Sequence, residues 1–157
     1  MHIRLIAVSD RQPAWVGDAF DEYAKRLPGQ WRFRLDVVST ARRSGDQSGA
    51  GKAVETEGSK VLRQLKPSEQ VVLLDETGQE YTSAGLASQL QNWQSAGSDL
   101  TFVIGGPDGV SAACRERANS RWSLSLLTLP HGLARVLLVE QLYRASTLLQ
   151  GHPYHRG

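Results

Sequence analysis

A single cysteine among 157 residues, Cys114, excludes an internal disulfide and, on its own, a zinc site. No apolar run approaches the roughly 20 residues that a membrane-spanning helix needs. The amino terminus, Met1-His2-Ile3-Arg4, lacks the charged-then-apolar pattern of a secretory signal. Charge of one sign is also scarce: 18 Lys and Arg against 16 Asp and Glu leave a net +2. What remains, 40% hydrophobic and 22% charged, is ordinary globular composition. The expectation is one cytoplasmic domain over residues 1–157, with no membrane partner and a self-sufficient core.

The balance of charge hides an asymmetry. Residues 1–110 carry 12 basic and 14 acidic side chains, whereas residues 111–157 carry 6 and 2. All six basic residues of the second part are arginines (Arg115, Arg117, Arg121, Arg135, Arg144 and Arg156). An excess of this kind fits an anionic partner or a plain solvated basic face, and charge alone does not choose.

Hydrophobic period switches repeatedly between two and 3.6, which predicts alternating strands and helices. Strands are expected at 2–8, 31–37, 71–74, 100–104 and 122–127, and helices at 13–27, 54–65 and 86–96, with a short one after Ser111. Ser39 to Gly51 reads as a loop without apolar period. Pro13 suits a first helical turn, Thr82 or Ser83 a cap, and Pro28, Pro67 and Gly97 are stops. The fold class is therefore α/β, a single domain with a mostly parallel sheet of five or six strands flanked by helices. The last helix, 133–150, is apolar nearly all round. One stripe suffices to pack on a sheet, so a second surface, plausibly another subunit in a homodimer, is expected to cover the rest.

Several motifs fail. Residues 45–52 imitate a phosphate loop, but five residues rather than four separate Gly45 from Gly51, and Ala53 stands where a magnesium-binding hydroxyl belongs. No G-x-S-x-G elbow exists. His152 and His155 lack a third metal ligand nearby, so no metal is expected. The segment Ile104-Gly105-Gly106-Pro107-Asp108-Gly109 is stronger. It follows an apolar strand and precedes a helix, where open α/β sheets bind ligands, and its glycines admit a ligand close to the backbone. It can equally be a plain turn. Residues 124–131 include Pro130, which has no N–H, so free amides and carbonyls there can read a ring held between leucines. Glu140 and Arg144 form an i,i+4 pair. The closing His152-Pro153-Tyr154-His155-Arg156 offers groups that stack on bases and hold phosphates.

Together these segments, with Trp122-Ser123-Leu124-Ser125, Leu129-Pro130-His131 and Glu140-Gln141-Leu142-Tyr143-Arg144-Ala145, closely resemble the RlmH (YbeA) family of SPOUT-class methyltransferases. The resemblance spans the chain and is densest after Phe102. It implies a carboxy-terminal trefoil knot, a homodimer, and S-adenosyl-L-methionine as cofactor. It also implies transfer of the methyl to N3 of a pseudouridine in 23S rRNA of the assembled ribosome, with no DNA partner. By matching position, Leu74, Gly105, Gly106, Leu124, Ser125, Leu126, Leu127, Thr128 and Leu129 would hold the cofactor. His131, Glu140, Arg144, Tyr154, His155 and Arg156 would form the target-base site. In that site His155 is the first candidate for the base that removes the N3 proton and Glu140 the second, while Tyr154 stacks and Arg156 clamps a phosphate. The competing readings are a SPOUT enzyme with another RNA target and a nucleotide-binding module without chemistry.

Overall fold

Alternate residues of the first strand are apolar on both of its sides. In the computed structural model this strand, β1 (Ile3–Val8), is buried along its whole length. The structure describes residues 1–43, 45 and 47–156, and the side chains of residues 47, 48, 155 and 156 lie outside the described part. Four further strands complete one sheet: β2 (Arg34–Val38), β3 (Gln70–Gln79), β4 (Leu100–Ile104) and β5 (Ser120–Trp122). Their order is β2-β1-β4-β3-β5, and every pairing is parallel.

A parallel sheet must be covered on both faces, and two separate cores show that it is. Ile3, Leu5, Ala7, Val72, Leu100, Phe102 and Ile104 point to one side. There they meet α1 (Ala14–Ala24), α3 (Ser83–Ala96) and α5 (His131–Gln150). Ile6, Val8, Val71, Leu73 and Val103 point to the other, toward α2 (Gln47–Gln64) and α4 (Ala112–Arg117). Arg4 interrupts that second face, yet its buried guanidinium is fully engaged by Glu69 at 2.9 Å, Thr101 at 3.1 Å and Asp36 at 3.3 Å. A buried charge so paired avoids the cost of an unpaired one.

Local signals act where expected. Thr82 accepts from the Gly85 N–H to cap α3, Gly97 ends it at φ +78°, and Ser111 caps α4. Cys114 is buried against Gly58.

Beside shifts of two or three residues at the end of α1 and the start of α5, four boundaries differ more instructively from the sequence expectation. The 39–51 loop is cut short because α2 begins at Gln47, where burial of Ala53, Glu57 and Val61 outweighs the poor helix propensity of its glycine-rich start. Strand β2 starts three residues late, because Gly29–Trp31 form a 3-10 turn and Arg32 takes a left-handed φ of 46°. Strand β3 runs past Asp75 to Gln79 and bulges, so that both Leu74 and Gln79 align with Trp122. Strand β5 covers only Ser120–Trp122, and the predicted continuation through residue 127 is not strand. As an edge strand it has one neighbour, and the ladder ends where the Ser123 N–H reaches the Gln79 carbonyl.

Candidate functional site

The strand order changes direction between β1 and β4, although the two strands run parallel. From β1 the chain leaves toward β2 on one side, whereas from β4 it leaves over β3 toward β5 on the other. Such a switch point opens a crevice at the carboxyl ends of the strands, and a cavity of about 540 Å³ occupies it. Val8, Ser9 and Asp10 line it from β1, Leu74 and Asp75 from β3, and Ile104, Gly106, Pro107 and Gly109 from β4 and its turn. Leu124, Ser125, Leu127, Thr128 and Leu129 close it, with His131 and Ala134 from the start of α5.

The closing wall explains why residues 123–129 are not a strand. Among the described residues, 124–129 make no main-chain hydrogen bond to another main chain; the Leu127 N–H donates instead to the Ser125 hydroxyl. Apart from that N–H and the Ser125 carbonyl, which accepts from the Ser123 hydroxyl at 2.9 Å, the amides and carbonyls of this stretch make no hydrogen bond among the described residues. Leu126 and Leu127 are 76% and 73% exposed, an expensive display of apolar surface for a chain with nothing to bind there. Gly109 turns at φ +90°, which favours glycine, and the turn it closes pairs Gly106 with Gly109.

Polar groups sit at the rim. Burial alone would raise the Asp75 carboxyl. Hydrogen bonds from the Thr77 N–H and hydroxyl and the Arg115 guanidinium outweigh it and hold Asp75 below the ordinary range. On the opposite side Asp10 accepts from the Thr40 hydroxyl. His131 is pushed down to about 4, first by burial and then by the nearby Arg135, so its ring is neutral at pH 7. Neither ring nitrogen has a well-formed hydrogen bond among the described residues, and the nearby Val8 main chain offsets only part of the shift. Arg135 is buried and donates to the Ser9 hydroxyl at 3.0 Å.

A second constellation lies further along α5. Glu140 accepts from Arg144 at 2.7 Å and from the Tyr154 hydroxyl at 3.1 Å. The Tyr154 ring packs edge-on against Tyr143, with the Arg144 guanidinium 5.0 Å from its centre. Burial and the Glu140 charge push the Tyr154 phenol up to about 12. The tail is therefore docked on α5. Gly151 ends the helix at φ +71° and His152 N–H returns to the Thr147 carbonyl. Glu140 is nine residues beyond His131, roughly 14 Å along a helix rising 1.5 Å per residue.

The structure thus gathers Leu74, Gly106, Leu124, Ser125, Leu127, Thr128, Leu129 and His131 at one cavity, and Glu140, Arg144 and Tyr154 at a separate cluster. Gly105 lies under the turn, against Val110, and Leu126 is exposed and does not line the cavity. The His155 and Arg156 side chains lie outside the described residues. Sequence reading missed Asp10 and Thr40 at the rim, and Glu57 beneath the turn. Glu57 carried a signal, since a carboxylate four residues from both Ala53 and Val61 interrupts a buried stripe.

The carboxy-terminal arginines also take a different role from the one charge suggested. Arg115 pairs with Asp75, and Arg121 lies 3.8 Å from the same carboxylate. Arg117 donates to the Lys66 and Glu69 carbonyls, Arg135 to Ser9 and Arg144 to Glu140. These five serve the fold before any partner.

Comparison with known proteins places this geometry. A family model described as "Predicted SPOUT methyltransferase" matches residues 1–155. The chain is 47% identical over 156 residues to a protein of Thioalkalivibrio sulfidiphilus named ribosomal RNA large subunit methyltransferase H, covering 99% of each. It is 48% identical over 157 residues to the protein of that name from Alkalilimnicola ehrlichii, covering 100% of each. A crystal structure of a probable methyltransferase from Bordetella pertussis Tohama I superposes with a TM-score of 0.56 at 16% identity, covering 92% of this chain and 95% of that one. At that identity the likeness concerns the fold.

Proposed function

The chain belongs to the SPOUT methyltransferase family, and from that premise we propose that it methylates N3 of a pseudouridine in 23S rRNA of the assembled large subunit, using S-adenosyl-L-methionine. The observation that carries the reading is the leucine-walled cavity at the switch point. Its volume suits a small-molecule cofactor, its apolar walls suit an adenine ring, and its unladdered main chain at 124–129 suits the edge of that ring. Leu74, Leu124, Leu127 and Leu129 would hold the ring, Gly106 would let the backbone approach, and Asp75 and Asp10 would face the polar parts. When bound, the cofactor supplies an electrophilic sulfonium methyl.

The protein's share of the chemistry is alignment and proton removal. The target N3–H must meet a base within hydrogen-bond reach. Within one protomer, the cavity and the Glu140–Arg144–Tyr154 cluster lie too far apart to touch one ring. We therefore assign the target-base site to the cavity of one protomer and the tail of its partner in a homodimer. Trp15, Leu133 and Leu137, exposed on the packed pair α1 and α5, supply an apolar face for that association. In the tail His155 is the base we favour; Glu140 is already committed to Arg144 and Tyr154.

A carboxy-terminal trefoil knot belongs to this reading, as the family implies. Residues 123–130 leave the sheet edge at β5 and return to the ends of β1 and β4 before α5 packs on α1 and α3. No helix among the described residues is long and apolar enough to cross a membrane, in keeping with a cytoplasmic enzyme working on ribosomes.

The test separates cofactor from target. Removing residues 154–157 is expected to leave the calorimetric affinity for S-adenosyl-L-methionine within about twofold, well under 1 kcal/mol, while abolishing methylation of ribosomes. Normal turnover by the truncated chain would refute the tail assignment, and absence of binding by the intact chain would refute the cavity assignment.

A further inference from the structure

Beneath the glycine turn, and outside the cavity, lies a carboxylate with no part in the chemistry above. Glu57 of α2 is 2% exposed. A buried carboxylate is costly unless its lone pairs are matched, and among the described residues they are matched from the segment before α2. It accepts the Ala41 N–H at 2.8 Å and the Arg43 guanidinium at 2.8 and 3.4 Å. Arg43 in turn donates to the Ala41 carbonyl at 2.8 Å and to Asp108 at 2.8 Å. Asp108 stands inside the turn whose Gly106, Pro107 and Gly109 line the cavity. Ala41 follows Thr40, which lines the facing wall and donates to Asp10. A Cβ placed on Gly106 would come within 2.9 Å of the Glu57 Oε1 and 3.2 Å of Val8. The turn therefore rests directly on the carboxylate, and a side chain at position 106 would have to displace it.

From this geometry we infer that Glu57, through Arg43 and Asp108, is a positioning residue that holds two walls of the donor cavity in register before the methyl donor arrives. The inference rests on reading that cavity as the donor site. Its physical content is preorganisation: walls fixed beforehand need not be ordered at the moment of binding. Arg43 is consumed in this network and is not free for an RNA phosphate. The effect falls on donor affinity and leaves the methyl-transfer step alone, because none of the three side chains is placed at the reacting atoms.

Calorimetric titration of S-adenosyl-L-methionine and steady-state methylation of ribosomes test it with E57Q, R43Q, the double variant and D108N. Glu57→Gln keeps the volume and removes the charge. It is expected to raise donor Kd and KM about tenfold and to leave kcat at saturating donor within about twofold. The double variant should lose no more than the worse single one, since the two side chains act as one unit. Asp108→Asn alters the exposed end of the network, keeps the chain folded if the buried variants do not, and should raise donor KM about threefold. Wild-type donor affinity in folded E57Q, or unchanged donor KM in D108N, would overturn the inference while leaving the cavity assignment intact. Failure of the wild-type chain to bind the donor would overturn both.

Discussion

His131 shows how much one residue's setting matters. Its imidazole is held near 4 by burial and by Arg135, against 6.5 when unfolded. Between those values the unfolded chain takes up a proton that the folded chain refuses. Folding stability therefore falls as pH drops through 6.5 and stops falling on this account near 4. At pH 5 the loss is on the order of 1 kcal/mol, reduced from the full linkage value because the ring is partly solvated. Urea unfolding at pH 7 and pH 5 should show this loss in the wild-type chain and a smaller one in H131Q. Equal losses would mean that the ring is charged in the fold. Tyr154 makes the complementary point. Its hydroxyl is spent on Glu140, so Tyr154→Phe should loosen the tail while keeping the ring that stacks. Methylation is expected to fall about tenfold with donor affinity unchanged, as single-turnover kinetics would read.

Among the elements, the segment between β5 and α5 carries most of the function and least of the regular structure. Leu127 lines the cavity at 73% exposure, so Leu127→Asp should change stability by no more than about 0.5 kcal/mol. The same substitution puts a charge against the adenine ring and should weaken donor binding at least about tenfold. Thermal unfolding and donor titration of one preparation check both halves. Strand-like periodicity made residues 122–127 look like sheet, because Trp122, Leu124 and Leu126 alternate with smaller polar residues. That alternation could not reveal that β5 is an edge strand whose only neighbour bulges away at residues 74–79. By contrast β1, β4 and the caps at Thr82 and Ser111 were legible, since burial on both faces and a side-chain hydroxyl at a helix start leave direct marks in sequence. Glu57 was legible only in part: its place in an apolar stripe was visible, but its partner Arg43, and Asp108 on the far side of Arg43, lie 14 and 51 residues away along the chain.

At the scale of the molecule, two assignments depend on a second copy. One protomer keeps its cavity and its tail cluster roughly 14 Å apart along α5. Mixed dimers of L127D and a chain lacking residues 154–157, assayed at donor concentrations well below the weakened Kd of L127D, should then regain one working site and exceed both parents. Activity near the baseline of the parents would place both parts in one protomer. Electrostatics sets a further expectation. Because Arg115, Arg117, Arg121, Arg135 and Arg144 are engaged within the fold, the basic excess of the carboxy-terminal part is already paired in the protein, and phosphate contacts dominate affinity for naked RNA. Methylation of free 23S rRNA should be at least about a hundredfold slower than that of ribosomes, and comparable rates would show that the RNA alone is recognised.

The account is tested most directly on the product itself. Mass spectrometry of 23S rRNA from cells lacking this protein should show one pseudouridine without its methyl group, restored by the wild-type chain and left unmodified by the chain lacking residues 154–157. A full complement of methylated pseudouridine in the deleted cells, or restoration by the truncated chain, would contradict it.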